Sequence, residues 1–362
     1  MDKYLLDCDA FRLKKTHSVT EGGMSRSLAI RNYLIRIGYK SIELSGNSTI
    51  SALQAIWFFI KHKGDQLFIL YPTIFFLMGG NNKFNRVLGD VAVKAFQFTA
   101  KRNRLITDIS DIKYEQFIDL EIPCPNLQLI EEREKRIFSS SVYFTFASGA
   151  MKDYAVQKYK VDEKRCETCI NGGLISNTSL NSDAISFKNE LSSQFVNCVY
   201  AGSLNKGRII DKMINSFKNI PSARLYLMGP MGEWIEDYLK KENVNNVFYL
   251  GAKAEKTAHQ IVSQCDLGLI PYDERRLYYN IAYPTKLSFY ITAGIPYLST
   301  PVKEVMKLNN NSMGFTGSIE DWPTIIQNIS IEKISKTKKN IELKRKEFTW
   351  DFILQNCKLM NQ

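Results

Sequence analysis

The stretch Tyr283–Pro296, YPTKLSFYITAGIP, decides the reading of this chain. A Pro-x-Lys opens a helical run of about two turns, and Gly294 and Pro296 close it ahead of a short apolar strand. The order of loop, lysine and helix start has a chemical meaning. The first N–H groups of a helix lack intrahelical acceptors, and the helix dipole places partial positive charge at the same end. Lys286 adds a full charge there, so the segment is a candidate anion site suited to a diphosphate.

Upstream of this segment the same design repeats. Val196–Ala201, Arg224–Met228, Asn246–Leu250, Leu267–Pro271 and Pro296–Ser299 read as strands, with helical patterns between them. The strands end on glycine- or proline-bearing turns. The first, YAGSLNKGR (200–208), has Gly202 for a sharp exit and projects Lys206 and Arg208 over the rim, where two cations suit a diphosphate leaving group. The turn at Gly229 either floors a nucleotide pocket or only ends its strand, and the turn at Tyr272 offers a surface for a base or ribose. Later helices are expected near 320–329, 331–345 and 351–360.

The first half also alternates strand and helix, which implies a parallel sheet covered on both faces. Its first strand leads through a loop to Glu21-Gly22-Gly23-Met24 and a helix. Glycines before a helix let backbone approach an anion closely, or simply make a tight turn. The pattern is not GxGxxG, so a nicotinamide cofactor is not supported. Between the halves, NGGLISNTSLNSD (171–183) is rich in Asn, Ser and Gly and reads as linker. The expected fold class is therefore α/β, with two Rossmann-like domains facing a central cleft. The divisions are an N-terminal domain 1–175, a linker 176–193, a C-terminal domain 194–346 and a last helical segment 347–362.

At 362 residues the chain is long enough for two such cores. Apolar content of 44% and charged content of 23% are those of an ordinary globular protein. The longest apolar runs, Ile50–Ile60 and Leu67–Met78, are too short to span a bilayer, and no signal-peptide pattern opens the sequence. The expected location is cytoplasmic, with the chain either free or peripheral on the inner face of the membrane. The formal net charge is +11, with clusters at Lys61 and Lys63 and at Lys94, Lys101, Arg102 and Arg104. Lys61-His62-Lys63 follows the apolar, aromatic run Trp57-Phe58-Phe59, an arrangement that suits either an anionic membrane surface or plain solvation. No nucleic-acid motif is present. Seven cysteines are scattered, and the lone Cys166-Glu-Thr-Cys169 lacks the second pair or nearby histidines that zinc would want, so no metal is expected.

The ordered set YAGSLNKGR, LYLMG, VFYLGA, CDLGLIPY and YPTKLSFYITAGIP resembles the donor half of GT-B glycosyltransferases of the family-4-like group. It is most similar to bacterial surface-glycan enzymes, including the glucosyltransferases of serine-rich adhesins and galactofuranosyltransferase-like proteins. The loop GGMSRS and the pattern ASGAMKDYAVQKY…NGG extend the resemblance over most of the chain. It implies a nucleotide-diphosphate sugar, most often a UDP-sugar, on the C-terminal domain and a glycan, glycolipid or glycoprotein acceptor on the N-terminal one. It implies phosphate contacts from Lys206 or Arg208 and from Lys286. Backbone contacts would come from Thr285, Leu287 and Ser288, with Gly22 or Gly23 across the cleft. The run from Glu347 to Trp350 is similar to the segment that crosses back to the first domain. The donor is a substrate, and no further cofactor is implied.

One position departs from the family pattern. Many retaining members carry a glutamate five residues before the glycine of the AGxP turn, and Phe289 stands there. Retaining and inverting chemistry therefore both stay open. An inverting enzyme needs a base, for which Asp108 and Asp111 in ITDISD are the candidates, with helix capping as their alternative role. The competing readings are a nucleotide-sugar epimerase of the same fold, disfavoured by only three histidines, and a non-catalytic glycosyltransferase-like partner subunit.

Overall fold

The computed structural model describes residues 1–7, 22–45, 47–70, 83–124, 126–140, 142–176, 179–204, 209–308 and 312–362. The chain divides into two compact units, one built on residues 1–7, 23–170 and 353–362 and the other on 171–352. Each contains a six-stranded sheet in which every pairing is parallel.

The first unit holds β1 (Lys3–Asp7), β2 (Lys40–Glu43), β3 (Gln66–Ile69), β4 (Arg104–Ile109), β5 (Tyr143–Phe146) and β6 (Cys166–Thr168), in the spatial order β2-β1-β3-β4-β5-β6. All of β3 is buried, because helices cover both faces of a parallel sheet. The sequence shows β4 only as Leu105–Ile106, since Thr107 and Asp108 break its apolar run. Both are buried, so the strand continues to Ile109. The helix starts are set by side-chain caps: Asn47 accepts from Thr49 and Ile50, and Ser148 from Met151. Residues 353–362 belong to this unit, where Glu167 accepts the backbone N–H groups of Lys358 at 2.8 Å and Leu359 at 2.7 Å.

The second unit holds β7 (Val196–Ala201), β8 (Ala223–Met228), β9 (Val247–Tyr249), β10 (Leu267–Ile270), β11 (Tyr297–Ser299) and β12 (Gly314–Thr316). Their order is β12-β11-β10-β7-β8-β9. The chain begins in the middle with β7, runs out to β9, then returns to lay β10 on the other side of β7. That reversal makes the carboxyl ends of β7 and β10 a topological switch point, where open α/β sheets bind their ligands. The helix Ile210–Phe217 buries Ile210, Met213, Ile214 and Phe217, a spacing that puts one face on the sheet.

Two stretches differ from the sequence expectation. The 176–193 segment read as linker contains the helix Ser182–Glu190, capped by Asn181. Its polar composition hides two buried anchors, Ala184 and Phe187, and Phe187 meets the Tyr226 ring edge-on at 4.9 Å. Strand β12 has only three half-buried residues, too few to show a period.

Candidate functional site

At the carboxyl end of the second sheet, three turns are bonded to one another. Gly202 N–H donates to Met228 O at 2.8 Å, Leu204 N–H to Pro230 O at 2.9 Å, and Gly229 N–H to Gly251 O at 3.1 Å. Gly202 and Gly229 have φ of +150° and +147°, a conformation that side chains resist. A Cβ on Gly229 would lie 2.0 Å from Gly202 O, and one on Gly202 would lie 2.7 Å from Lys286 Nζ. Glycine at both places lets two turns and a lysine head meet at the switch point.

Lys286 is 5% exposed and lies in the first turn of the helix Thr285–Ala293. Its ammonium is 4.8 Å from the centroid of Tyr200, on β7, and 5.5 Å from that of Tyr272, just beyond β10. Tyr272 is held in turn by stacking on Tyr279 at 4.6 Å and 15°. One turn further on, Tyr290 receives Ala201 N–H at 3.2 Å and donates to Leu269 O at 3.1 Å, linking β7 to β10. Burial pushes the Tyr290 phenol far above its ordinary pKa, so it stays a neutral donor. The result is a cation among aromatic faces in a water-poor wall. Such a cation attracts a phosphate more strongly than an exposed one does.

Among the expected contact residues, Gly229, Tyr272, Thr285 and Lys286 come together here. Leu287 is fully buried, and its N–H already donates to Pro284 O at 2.9 Å, so it is not free to meet an anion. The Ser288 hydroxyl donates to Asn171 O at 2.6 Å and shares a 2.7 Å bond with Tyr283, so its side chain anchors the helix. Gly22 and Gly23 begin the helix Gly22–Arg36. Lys206 and Arg208 lie outside the described residues. Sequence reasoning passed over Tyr200 and Tyr290. A signal for Tyr290 was present in Gly268, a glycine inside a buried strand, because a Cβ there would come within 2.4 Å of the Tyr290 ring.

Phe289 meets the ring of His259 edge-on at 5.3 Å. Both line a cavity of about 230 Å³ between the helices Glu255–Val262 and Thr285–Ala293, together with Leu174, Ile175 and Ser176. Burial, followed by the charge of Arg345, pulls His259 down to about 4. Its Nδ1 is buried with no hydrogen-bond partner among the described residues, and its Nε2 faces the Thr292 hydroxyl at 3.4 Å.

The expected base Asp108 has a different role. Its carboxylate is buried and accepts from Arg26 through Nε at 2.9 Å and Nη2 at 2.6 Å, and from the Thr145 hydroxyl at 2.8 Å. Arg26 also donates to Cys169 O at 2.8 Å. Burial opposes the guanidinium charge, but Asp108 outweighs it and the pKa of Arg26 is raised. A carboxylate so fully engaged holds the first unit together and is not placed to take a substrate proton. Asp111 keeps partial exposure, with Ser110 Oγ at 3.2 Å and Lys113 Nζ at 3.8 Å. Among the described residues, no three of His, Cys, Asp and Glu form a group that could hold a metal ion. Cys166 sits on the edge strand β6, where burial pushes its thiol up to about 11.

Residues 198–358 match the family model described as the glucosyltransferase 3-like C-terminal domain. Residues 198–358 are thus similar to a glucosyltransferase 3-like C-terminal domain. The whole chain resembles the crystal structure of Anabaena Alr3699/HepE in complex with UDP-glucose, with a TM-score of 0.67, 13% identity and coverage of 98% of this chain and 97% of that one. It also resembles WaaG, a glycosyltransferase involved in lipopolysaccharide biosynthesis, with a TM-score of 0.55, 14% identity and coverage of 84% and 93%. Sucrose-phosphate synthase from Thermosynechococcus elongatus gives a TM-score of 0.64 at 14% identity, covering 87% and 80%. A search of curated protein sequences gives no match. The expected GT-B glycosyltransferase is borne out by the family match and the fold.

Two outcomes follow from this geometry. Arg26→Ala leaves Asp108 buried without its charge partner, and should cost about 3–5 kcal/mol in a denaturant titration; an unchanged midpoint would contradict the pairing. His259 titrates at about 4 when folded and at 6.5 when unfolded. Between those values the unfolded chain binds the extra proton, so stability falls as pH drops below 6.5 and the loss levels off near 4, at roughly 3 kcal/mol. Unfolding curves of wild type and His259→Gln across this range should diverge by that amount, and parallel curves would count against a neutral buried imidazole.

Proposed function

We propose that the chain moves a sugar from a nucleotide-diphosphate sugar, with UDP as the nucleotide, to a glycan, glycolipid or glycoprotein acceptor in bacterial surface polysaccharide or glycoprotein assembly. The observation that carries this reading is Lys286, held between Tyr200 and Tyr272 at the switch point of β7 and β10. Solved structures of the same fold, those of HepE, are complexes with UDP and with UDP-glucose. Use of a nucleotide sugar places the work in the cytoplasm.

In the transfer, the bond between the anomeric carbon and the diphosphate oxygen breaks, and its electron pair leaves with the diphosphate. The acceptor hydroxyl oxygen forms the new bond and gives up its proton. Lys286 and the N–H groups at the start of its helix would stabilise the charge that grows on the leaving diphosphate, with Lys206 and Arg208 adding to it. This is a metal-independent way to meet that charge. Asp111 is the group proposed to take the acceptor proton if the reaction inverts. The cavity beside Phe289 would receive the nucleoside, with an aromatic wall in place of the family's carboxylate.

Phe289 is also the observation that favours a second reading, a non-catalytic partner subunit. A melting-temperature panel with UDP, GDP, CDP and dTDP separates the two. A ligand that binds only the folded chain must raise the melting temperature. UDP is expected to stabilise the wild type, and Lys286→Ala is expected to abolish the shift. If no nucleoside diphosphate stabilises the wild type, the donor-site reading fails and the partner-subunit reading replaces it.

A further inference from the structure

Two neighbouring helices of the first unit expose the wrong side chains for a solvated surface. The helix Ser48–Lys61 and the helix Lys83–Ala100 lie side by side, packed through Ala52, Ile56 and Leu88 and through an edge-on contact of Phe59 with Phe96 at 5.8 Å. Their inner faces are apolar, as a helix covering a sheet requires. Their outer faces should then be polar. Instead Ile50, Leu53, Trp57 and Ile60 form an exposed stripe on the first helix, and Trp57 is 65% exposed. On the second, Phe84, Val87, Val91 and Phe98 do the same, with Val87 at 63%. Both stripes point away from the buried side, so together they make one apolar face across two helices, the kind of patch that marks an interaction site.

Charge decides what covers it. Lys94 stands within the second stripe, between Val91 and Phe98, and Lys61 closes the first. Arg102 lies over the Phe98 ring at 4.6 Å, and Lys63 and Lys101 are exposed beyond the two helix ends. The helix Ser48–Lys61 has no acidic residue, and the only one in Lys83–Ala100 is Asp90, paired with Arg133 at 3.2 Å. A second copy docked by two-fold symmetry would bring this basic face against itself, under a net charge of +11 per chain. A bilayer with anionic headgroups offers apolar depth for the stripes and opposite charge for the lysines.

We propose that this face docks on an anionic lipid bilayer. The stripes insert to the headgroup boundary, and the flanking lysines and arginines pair with lipid phosphates. The inference does not depend on the donor chemistry, because no residue of the second unit takes part.

Trp57 provides a direct reporter. Of the four tryptophans, all described, Trp57 alone is exposed. The full chain is mixed with vesicles of phosphatidylcholine alone or with a third of the lipid as phosphatidylglycerol, and emission and co-sedimentation are read. Anionic vesicles should shift the emission blue and pellet the protein, neutral ones should do so far less, and added salt should weaken the effect. Trp57→Ser with Val87→Ser should keep the wild-type melting temperature, since both sites are exposed, and lower the partition by roughly tenfold or more. Lys61→Ala with Lys94→Ala should reduce the preference for the anionic vesicles. The proposal is overturned if wild type binds neither vesicle, binds both equally, or binds undiminished after Trp57→Ser with Val87→Ser. It is also overturned if the wild type is a dimer that those substitutions split, which would give the face to a second copy.

Discussion

The second unit depends on one phenol. The Tyr290 hydroxyl links the Ala201 N–H of β7 to the Leu269 carbonyl of β10, at the place where the sheet order reverses. Gly268 leaves room for the ring to lie against the strand. This fixes the rotation of the helix Thr285–Ala293 about its axis. Lys286 is four residues earlier on the same face, so it points to the switch point as well. On another side Ser288 reaches Asn171, and Thr292 packs so closely on Gly173 that a Cβ there would lie 2.3 Å from its hydroxyl. A helix held on both sides presents its N-terminus with little freedom, which is what electrostatic stabilisation of a leaving group needs.

The legible parts of the fold were the local ones. Repeating strand–helix patterns and glycines at strand ends identify a parallel α/β chain, and Pro284 with Lys286 identify the helix start that faces the sheet ends. The illegible parts join residues far apart in sequence. Asp108 sits in a strand next to a turn, as a catalytic base would, and nothing local reveals that Arg26, 82 residues earlier, takes both of its oxygens. The helix Ser182–Glu190 was hidden for a different reason: its stability comes from Phe187 packing on Tyr226, a tertiary contact that outweighs a polar composition.

Phe289 has a structural counterpart. Where the resemblance implies a carboxylate, this chain has a ring packed on a neutral, buried imidazole. A glutamate there would stand beside His259 and tend to charge it, whereas a phenyl ring adds no charge next to the imidazole. In the proposed donor site, the exchange would alter how a nucleoside is gripped and would leave the Lys286 end of the helix unchanged.

The most direct test of the central claim is the rate at which UDP is released from UDP-sugars by wild type and by Lys286→Met. Methionine keeps the length and apolar contacts of the lysine and removes the charge. If Lys286 stabilises the departing diphosphate, release by the variant falls about 100-fold or more while the melting temperature holds. Equal rates in the two proteins, or no release by the wild type from any UDP-sugar, would contradict the account.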